Sequence, residues 1–312
     1  MIEKPNLQES LYGFETIFNE IALLYKNNKL PNKILLSGPK GSGKSTLAYH
    51  IINYILSSKE DFSYNSKDKL INKNNKSFIL LNNKTHPNFF LVDLKNDKKY
   101  IEISQTREMI NYVNKSNFNQ LPKFILIDNV EYLNKNSLNS LLKIIEEPNL
   151  NVFFILIHDS NKRLVDTLRS RCLIFKINHT FDQTMYITNK LLNANLLNIV
   201  NHDLINYYLS PGNYLNLISF SKINNLDLTK YNIVDFLSLL INEKFYIKND
   251  FIKSYIFVLI ELYFLKIFAN SINKSEVINL YTKFIHKIND TVKYNLDHET
   301  LFLEFKSKVL NG

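Results

Sequence analysis

The segment Gly38-Pro39-Lys40-Gly41-Ser42-Gly43-Lys44-Ser45 satisfies every fixed position of the G-x-x-x-x-G-K-[ST] pattern. Glycines at these places let backbone N–H groups close around phosphate oxygens at the start of a helix. Gly38, Gly41, Gly43 and Thr46 then shape the cradle, Lys44 reaches the β- and γ-phosphates, and the Ser45 hydroxyl ligates Mg²⁺. A second segment, Phe124-Ile125-Leu126-Ile127-Asp128-Asn129, is an apolar strand ending in one carboxylate. Asp128 there serves the metal, or simply ends a strand or caps a helix. Asn129 cannot accept a proton from an attacking water, so general-base help comes from elsewhere or is absent. Binding of ATP with Mg²⁺ and hydrolysis of it are therefore separate questions. A cradle retained for structure alone is a third reading.

These residues need a sheet to hold them, and the first half of the chain supplies one. Short β-rich runs alternate with helical patterns, the mark of a parallel α/β sheet. Ile34-Leu35-Leu36 leads into the cradle, and Leu47, Ile51 and Ile55 share one face of the helix after it. Phe89–Asp93, Lys123–Asp128, Val152–Ile157 and Leu173–Ile177 read as further strands. Ser137–Glu147 reads as a helix with Leu138, Leu141, Leu142 and Ile145 inward, stopped by Pro148. Ser57–Ser77, rich in Lys and Asn, reads as a mobile surface insertion. Beyond residue 178 strand signals give way to amphipathic helices, interrupted at Ser210-Pro211-Gly212. The expected division is 1–178, 179–225 and 226–312.

With 312 residues and 45% hydrophobic content, the chain has room for two or three packed domains. The formal charge of +9 favours acidic partners such as nucleic acid, although Lys and Asn are abundant everywhere. Arginine occurs only at Arg107, Arg163, Arg169 and Arg171, three of them within nine residues. In a chain that otherwise chooses Lys, such a cluster marks a place for planar guanidinium geometry. The lone Cys172 excludes an internal disulfide and any multi-Cys zinc site, so no zinc is expected. Met1-Ile2-Glu3-Lys4-Pro5-Asn6 lacks signal-peptide architecture, and charges at Lys253, Glu261 and Lys266 break the apolar run Phe251–Ala269. A cytoplasmic protein with no membrane span is expected.

Several unlinked motifs also fall in one order. Ile125 to Leu133, Ser140 to Pro148, and Leu168-Arg169-Ser170-Arg171-Cys172 together resemble the bacterial clamp-loader AAA+ family. Thr85-His86-Pro87-Asn88, and the run from Gly38 through Thr46-Leu47-Ala48-Tyr49, resemble its delta-prime branch within DNA polymerase III. The likeness covers roughly residues 10–215. It implies an AAA+ P-loop NTPase domain, a small helical lid and a C-terminal helical collar. It also implies partners: the other subunits of a hetero-pentameric arc that places a sliding clamp on primer-template DNA. The family's Ser-Arg-Cys motif gives an arginine finger to the neighbour's nucleotide, a role that falls to Arg171, with Ser170 and Cys172 shaping its turn. Pairing of Arg171 with a local carboxylate is the plainer alternative, and Arg163 and Arg169 read as ordinary cations. His158 stands near the sensor-1 position, as a phosphate contact or a satisfied strand-end histidine. Ser210-Pro211-Gly212 resembles the sensor-2 turn, with Asn213 where an Arg is expected. Asn129 and Asn213 together imply a subunit whose own hydrolysis is weak.

Overall fold

The computed structural model describes residues 4–95, 98–116, 119–147, 151–294 and 296–310. Pro148, the expected helix stop, and Met1-Ile2-Glu3 lie outside the described residues. The described residues form two units, Met1–Leu191 with Ser210–Asn213, and Leu192–Leu209 with Tyr214–Gly312.

The first unit is a five-stranded, wholly parallel sheet. Its strands are β1 (Lys33–Gly38), β2 (Phe89–Val92), β3 (Lys123–Ile127), β4 (Val152–Asp159) and β5 (Leu173–Lys176), in spatial order β2-β3-β4-β1-β5. Each expected strand is present, with ends shifted by a residue or two. Helices α1 (Glu15–Lys26), α2 (Lys44–Leu56), α3 (Lys76–Asn82), α4 (Ile103–Asn114), α5 (Lys135–Glu146) and the short α6 (Asp166–Arg169) surround it. Both faces are covered, which is why the strands read as unbroken apolar runs. Ile34 and Leu36 pack on one side with Leu47, Ile51 and Ile55 of α2, while Leu35 packs on the other with Leu141 and Ile145 of α5. In α5 Ile144 is also buried, whereas Leu138 and Leu142 are half-buried. Strand β1 lies between β4 and β5, so the loop leaving its carboxyl end opens where the chain reverses direction across the sheet.

The 57–77 segment departs from the expectation of a solvated insertion. Tyr64, Ile71 and Asn75 are buried in it, and Tyr64 stacks on Phe18 at 5.2 Å. Leu11 N donates to Lys69 O and Ile71 N to Glu9 O, tying the segment to the N-terminal strand of chain. Asn75 explains how so polar a run packs: its side chain accepts from Phe78 N at 2.7 Å, capping α3, and donates to Phe62 O at 2.8 Å. Here asparagines satisfy backbone groups rather than facing water.

Helix α7 (Phe181–Leu192) leads out of the sheet, and α8 (Pro211–Ile223) begins at the proline of the Ser-Pro-Gly segment, a residue suited to a first helical position. The second unit continues with α9 (Ile233–Asn242), α10 (Phe245–Lys248), α11 (Asp250–Asn270), α12 (Lys274–Tyr294) and α13 (His298–Phe305). Its core joins Phe236 and Leu240 of α9, Ile256 and Leu259 of α11, Phe284 of α12 and Phe302 of α13, all essentially buried. The apolar run Phe251–Ala269 thus packs as a protein-core helix, with Lys266 paired to Asp203 at 2.6 Å. Among the described residues no helix is long and apolar enough to cross a membrane.

Candidate nucleotide site

The loop from Gly38 to Gly43 joins the carboxyl end of β1 to the first residue of α2, Lys44. Gly41 and Gly43 have φ of +80° and +88°, the left-handed region that side chains other than glycine enter with strain. This geometry turns the chain from β1 into α2 within a few residues, with Ser42 N donating to Pro39 O at 3.3 Å. Thr46 sits half-buried in the first turn of α2.

The buried Lys44 ammonium donates to Gly38 O at 2.8 Å and Pro39 O at 2.6 Å. Burial pulls it below the usual lysine range, against the opposing charges of Asp159, Asp128 and Glu131. The Ser45 hydroxyl donates to Asp128 Oδ2 at 2.6 Å, so the two residues expected at a metal are brought together across 83 positions of sequence. Burial, helped by the charge of Asp93, raises the Asp128 carboxyl to about 6 despite hydrogen bonds from Ser45 and the Asn129 backbone. A hydroxyl and a carboxylate beside a glycine loop at a helix start are hard oxygen donors of the kind Mg²⁺ takes alongside phosphate, so these residues fit Mg²⁺–ATP.

Position 129 has a structural reason for its amide. Asn129 adopts φ +58°, ψ +48°, a left-handed conformation that Asn tolerates far better than Glu. Its side-chain amide donates to Asp93 Oδ1 at 2.9 Å. Asp93 follows β2 as Asp128 follows β3, and it escaped the sequence reading although Phe-Phe-Leu-Val-Asp carries the same apolar-run-then-Asp signal. Glu131, two positions on from the amide at 129, is turned elsewhere: its Oε2 accepts from Asp159 N at 3.3 Å.

The structure brings two further segments to the cradle. Ser210 Oγ donates to Lys40 O at 2.8 Å, and Gly212 N donates to Gly41 O at 2.9 Å. The Ser-Pro-Gly turn therefore lies on the cradle's outer edge, with Asn213 N turned back to Ser210 Oγ at 3.3 Å. His179 Nε2 is 3.0 Å from Ser42 O and its ring meets Phe14 edge-on. Neither Phe14 nor His179 carried a motif that a sequence reading detects.

Three expected residues lie apart from these contacts. His158 has both ring nitrogens engaged, Nε2 with Lys162 O and Nδ1 with the Ser37 hydroxyl, each at 3.0 Å. It is a satisfied strand-end histidine. Arg171, on the bend between α6 and β5, grips Glu146 Oε1 through Nε at 2.8 Å and Nη2 at 2.6 Å, and Thr167 O through Nη1 at 2.7 Å. That is the local pairing the sequence left open, made at the surface between two exposed side chains. Cys172 is half-buried, and burial pushes its thiol up to about 11. It stays a neutral packing group next to the bend.

A parallel sheet in this order, with a phosphate cradle after β1, an acidic end on β3 and a helical region beyond, defines a P-loop nucleotide-binding domain of the AAA+ type. The family model described as DNA polymerase III, delta subunit matches residues 14–181. This chain belongs to that family. It is 30% identical over 166 residues to DNA polymerase III subunit delta' of Buchnera aphidicola subsp. Baizongia pistaciae, covering 51% of this chain and 48% of the relative. It is 31% identical over 139 residues to the Pseudomonas aeruginosa subunit delta', covering 45% and 40%. The chain thus spans about half the length, or less, of these relatives. A match to subunit delta' of Buchnera aphidicola subsp. Acyrthosiphon pisum extends over 88% of this chain and 84% of that one at 23% identity. Among solved structures, a DNA polymerase III gamma subunit-related protein from Thermotoga maritima aligns over 91% of this chain and 96% of its own, at 13% identity and a TM-score of 0.47.

Proposed function

We propose that this chain is a clamp-loader subunit of the delta-prime kind, which lends Arg171 to an ATP site on a neighbouring subunit and turns over little ATP itself. Its partners are the other subunits of a five-membered arc, and through them a sliding clamp and primer-template DNA. Residues 179–225 are the lid and 226–312 the collar that joins the arc. The protein works in the cytoplasm.

One observation carries the reading. The Arg171 guanidinium is at the surface, on a short bend, held by one exposed carboxylate and the Thr167 carbonyl. An exposed ion pair of this sort contributes roughly 0–1 kcal/mol, so a neighbour's triphosphate readily replaces Glu146 as its partner. There the planar fork stabilises charge building on the transferred phosphoryl group, an effect typically of ~10³–10⁵ in rate. The chain's own site supports binding more than turnover. Lys44, Ser45 and Asp128 are the residues that would hold phosphate and Mg²⁺, and the metal when bound would neutralise phosphate charge. At position 129, however, an amide occupied by Asp93 stands where a water-orienting carboxylate is needed.

Reconstitution with the other subunits tests this. Arg171→Ala is expected to leave the isolated chain folded and to lower the assembly's ATPase by orders of magnitude; an unchanged rate would refute the proposal. The complete cradle favours one rival, a motor subunit that burns its own ATP. Under that reading Lys44→Ala would remove most of the assembly's turnover, whereas under ours the neighbouring sites keep it. A monomeric P-loop phosphotransferase is the remaining alternative, and it would turn over without any partner subunit.

A further inference from the structure

Arg163 and Arg169, read from sequence as ordinary cations, line one cavity. It has a volume of about 420 Å³ and lies in the first unit, between the carboxyl ends of β1 and β4, the segment after β4, and β5. Leu35 and Ile174 form part of its floor, beside the hydrogen-bonded Ser37–His158 pair. Lys162, Arg163, Arg169 and Lys176 stand around it, with Asp166 the one carboxylate in the lining. Arg163, Arg169 and Lys176 join no ion pair among the described residues, in contrast to Arg171 beside them. Lys162 leans over the Tyr132 ring at 4.8 Å.

Four cations and one carboxylate in the lining of a concave site leave a net positive potential there. Arginine is the telling choice, since only four of the chain's 38 basic residues are Arg and two of them are here. A planar fork matters where oxygens of a phosphate are held two at a time, and an ammonium does not supply it. The volume suits a small ligand, well within the ~300–1,000 Å³ of ordinary binding sites.

We propose that this cavity is a second phosphate-binding site, separate from the cradle and independent of Arg171, which takes a short phosphate chain through the guanidinium groups of Arg163 and Arg169. The chain comes from free inorganic polyphosphate or from the phosphate tail of a nucleotide.

Calorimetric titration of the full-length protein with inorganic tripolyphosphate tests it, with the cradle silenced by Lys44→Ala. Expected is binding that survives Lys44→Ala, falls at least tenfold on adding Arg163→Gln and Arg169→Gln, and recovers only in part with Lys at both positions. Arg163 and Arg169 are exposed and Lys44 is buried, so circular dichroism of each variant should confirm an intact fold before its binding is compared. ATP binding as tightly as tripolyphosphate assigns the site to the phosphate chain alone, and tighter ATP binding on the same arginines assigns it to a nucleotide. The proposal is overturned if Lys44→Ala abolishes all binding, or if the double Gln variant binds unchanged. Preference of the same arginines for single-stranded DNA over tripolyphosphate would also overturn it.

Discussion

Asn129 donates its side-chain amide to Asp93 across the ends of two adjacent strands, 2.9 Å apart. The parallel register Val92↔Ile127 brings Asp93 level with Asp128 just beyond the sheet, one residue short of Asn129. The amide thereby gives Asp93 a neutral donor close to a second carboxylate. Asp93 already raises the Asp128 carboxyl by its charge. A third carboxylate at 129 would add to that strain, and a Glu would also have to adopt the left-handed backbone found there.

Asn129→Asp should therefore destabilise the fold by roughly 1–3 kcal/mol, because it removes a donor and adds a like charge. Asp93→Asn in the same chain should recover much of the loss by exchanging donor and acceptor. A double-mutant cycle from denaturant midpoints at pH 7.5 reads the coupling, expected at about 1–2 kcal/mol. Additive effects would mean that the bond contributes nothing.

The turn at Ser210 to Asn213 should respond to a single methyl group. A Cβ at Gly212 would stand 2.7 Å from Gly41 Cα and 2.8 Å from Gly41 O, against backbone that cannot swing aside. Gly212→Ala is expected to break the Gly212–Gly41 hydrogen bond and destabilise by about 1–3 kcal/mol. Ser210→Ala, which loses only the bond to Lys40 O, should lower stability by about 1 kcal/mol. Hydrogen exchange at residues 40–45 should quicken in both variants, and more in Gly212→Ala.

Much of this was legible in the sequence, and the misses share a cause. The strands and the cradle could be read because fully buried parallel strands are apolar throughout, and because a glycine loop before a helix has few other uses. The Asp93–Asn129 bond needed the pairing of β2 with β3, which one sequence does not contain. Tyr64 and Ile71 were hidden in a polar run where isolated apolar residues leave no period. Thr85-His86-Pro87-Asn88 was noticed as a family mark, yet its physical work lies in Asn88, whose buried amide donates to Asn119 Oδ1 and Leu121 O at the entrance to β3. The arginine cluster was visible, but not the division of labour within it. Arg171 faces Glu146, while Arg163 and Arg169 line a cavity that their own segment closes against Leu35 and Ser37 of β1, more than a hundred residues away in sequence.

His50 makes stability depend on pH. It is fully buried in α2, with Nε2 toward Gln8 O at 3.0 Å and Nδ1 toward the Tyr64 hydroxyl at 2.9 Å. Burial lowers it to about 4 from its ordinary 6.5, although the bond to Gln8 O opposes the shift. Between those values the unfolded chain binds a proton that the folded chain does not, so stability falls as pH drops from 6.5 and levels off below about 4. The full effect is roughly 3 kcal/mol. His86, buried beside Glu60 and also lowered to about 4, adds in the same direction. Denaturant midpoints at pH 8, 6 and 4.5 should decline in the wild type. His50→Gln should flatten that decline, even if it is less stable at pH 8.

Glu146 offers a way to separate a finger from a structural tie. If the Arg171–Glu146 pair mainly holds the bend, Glu146→Gln and Arg171→Ala remove the same interaction and should have matching effects on stability and on assembly turnover. If Arg171 serves a neighbour, the two variants part company. Both should then shift the denaturant midpoint of the isolated chain by no more than about 1 kcal/mol, as for exposed pairs generally. In the reconstituted assembly Glu146→Gln should retain its ATPase, since the guanidinium is only released from one partner, whereas Arg171→Ala should lose it. Arg171→Lys should restore little, because an ammonium keeps the charge and loses the fork that reaches two oxygens at once. Parallel losses in Glu146→Gln and Arg171→Ala would assign Arg171 to its own fold and leave the neighbour's triphosphate without it.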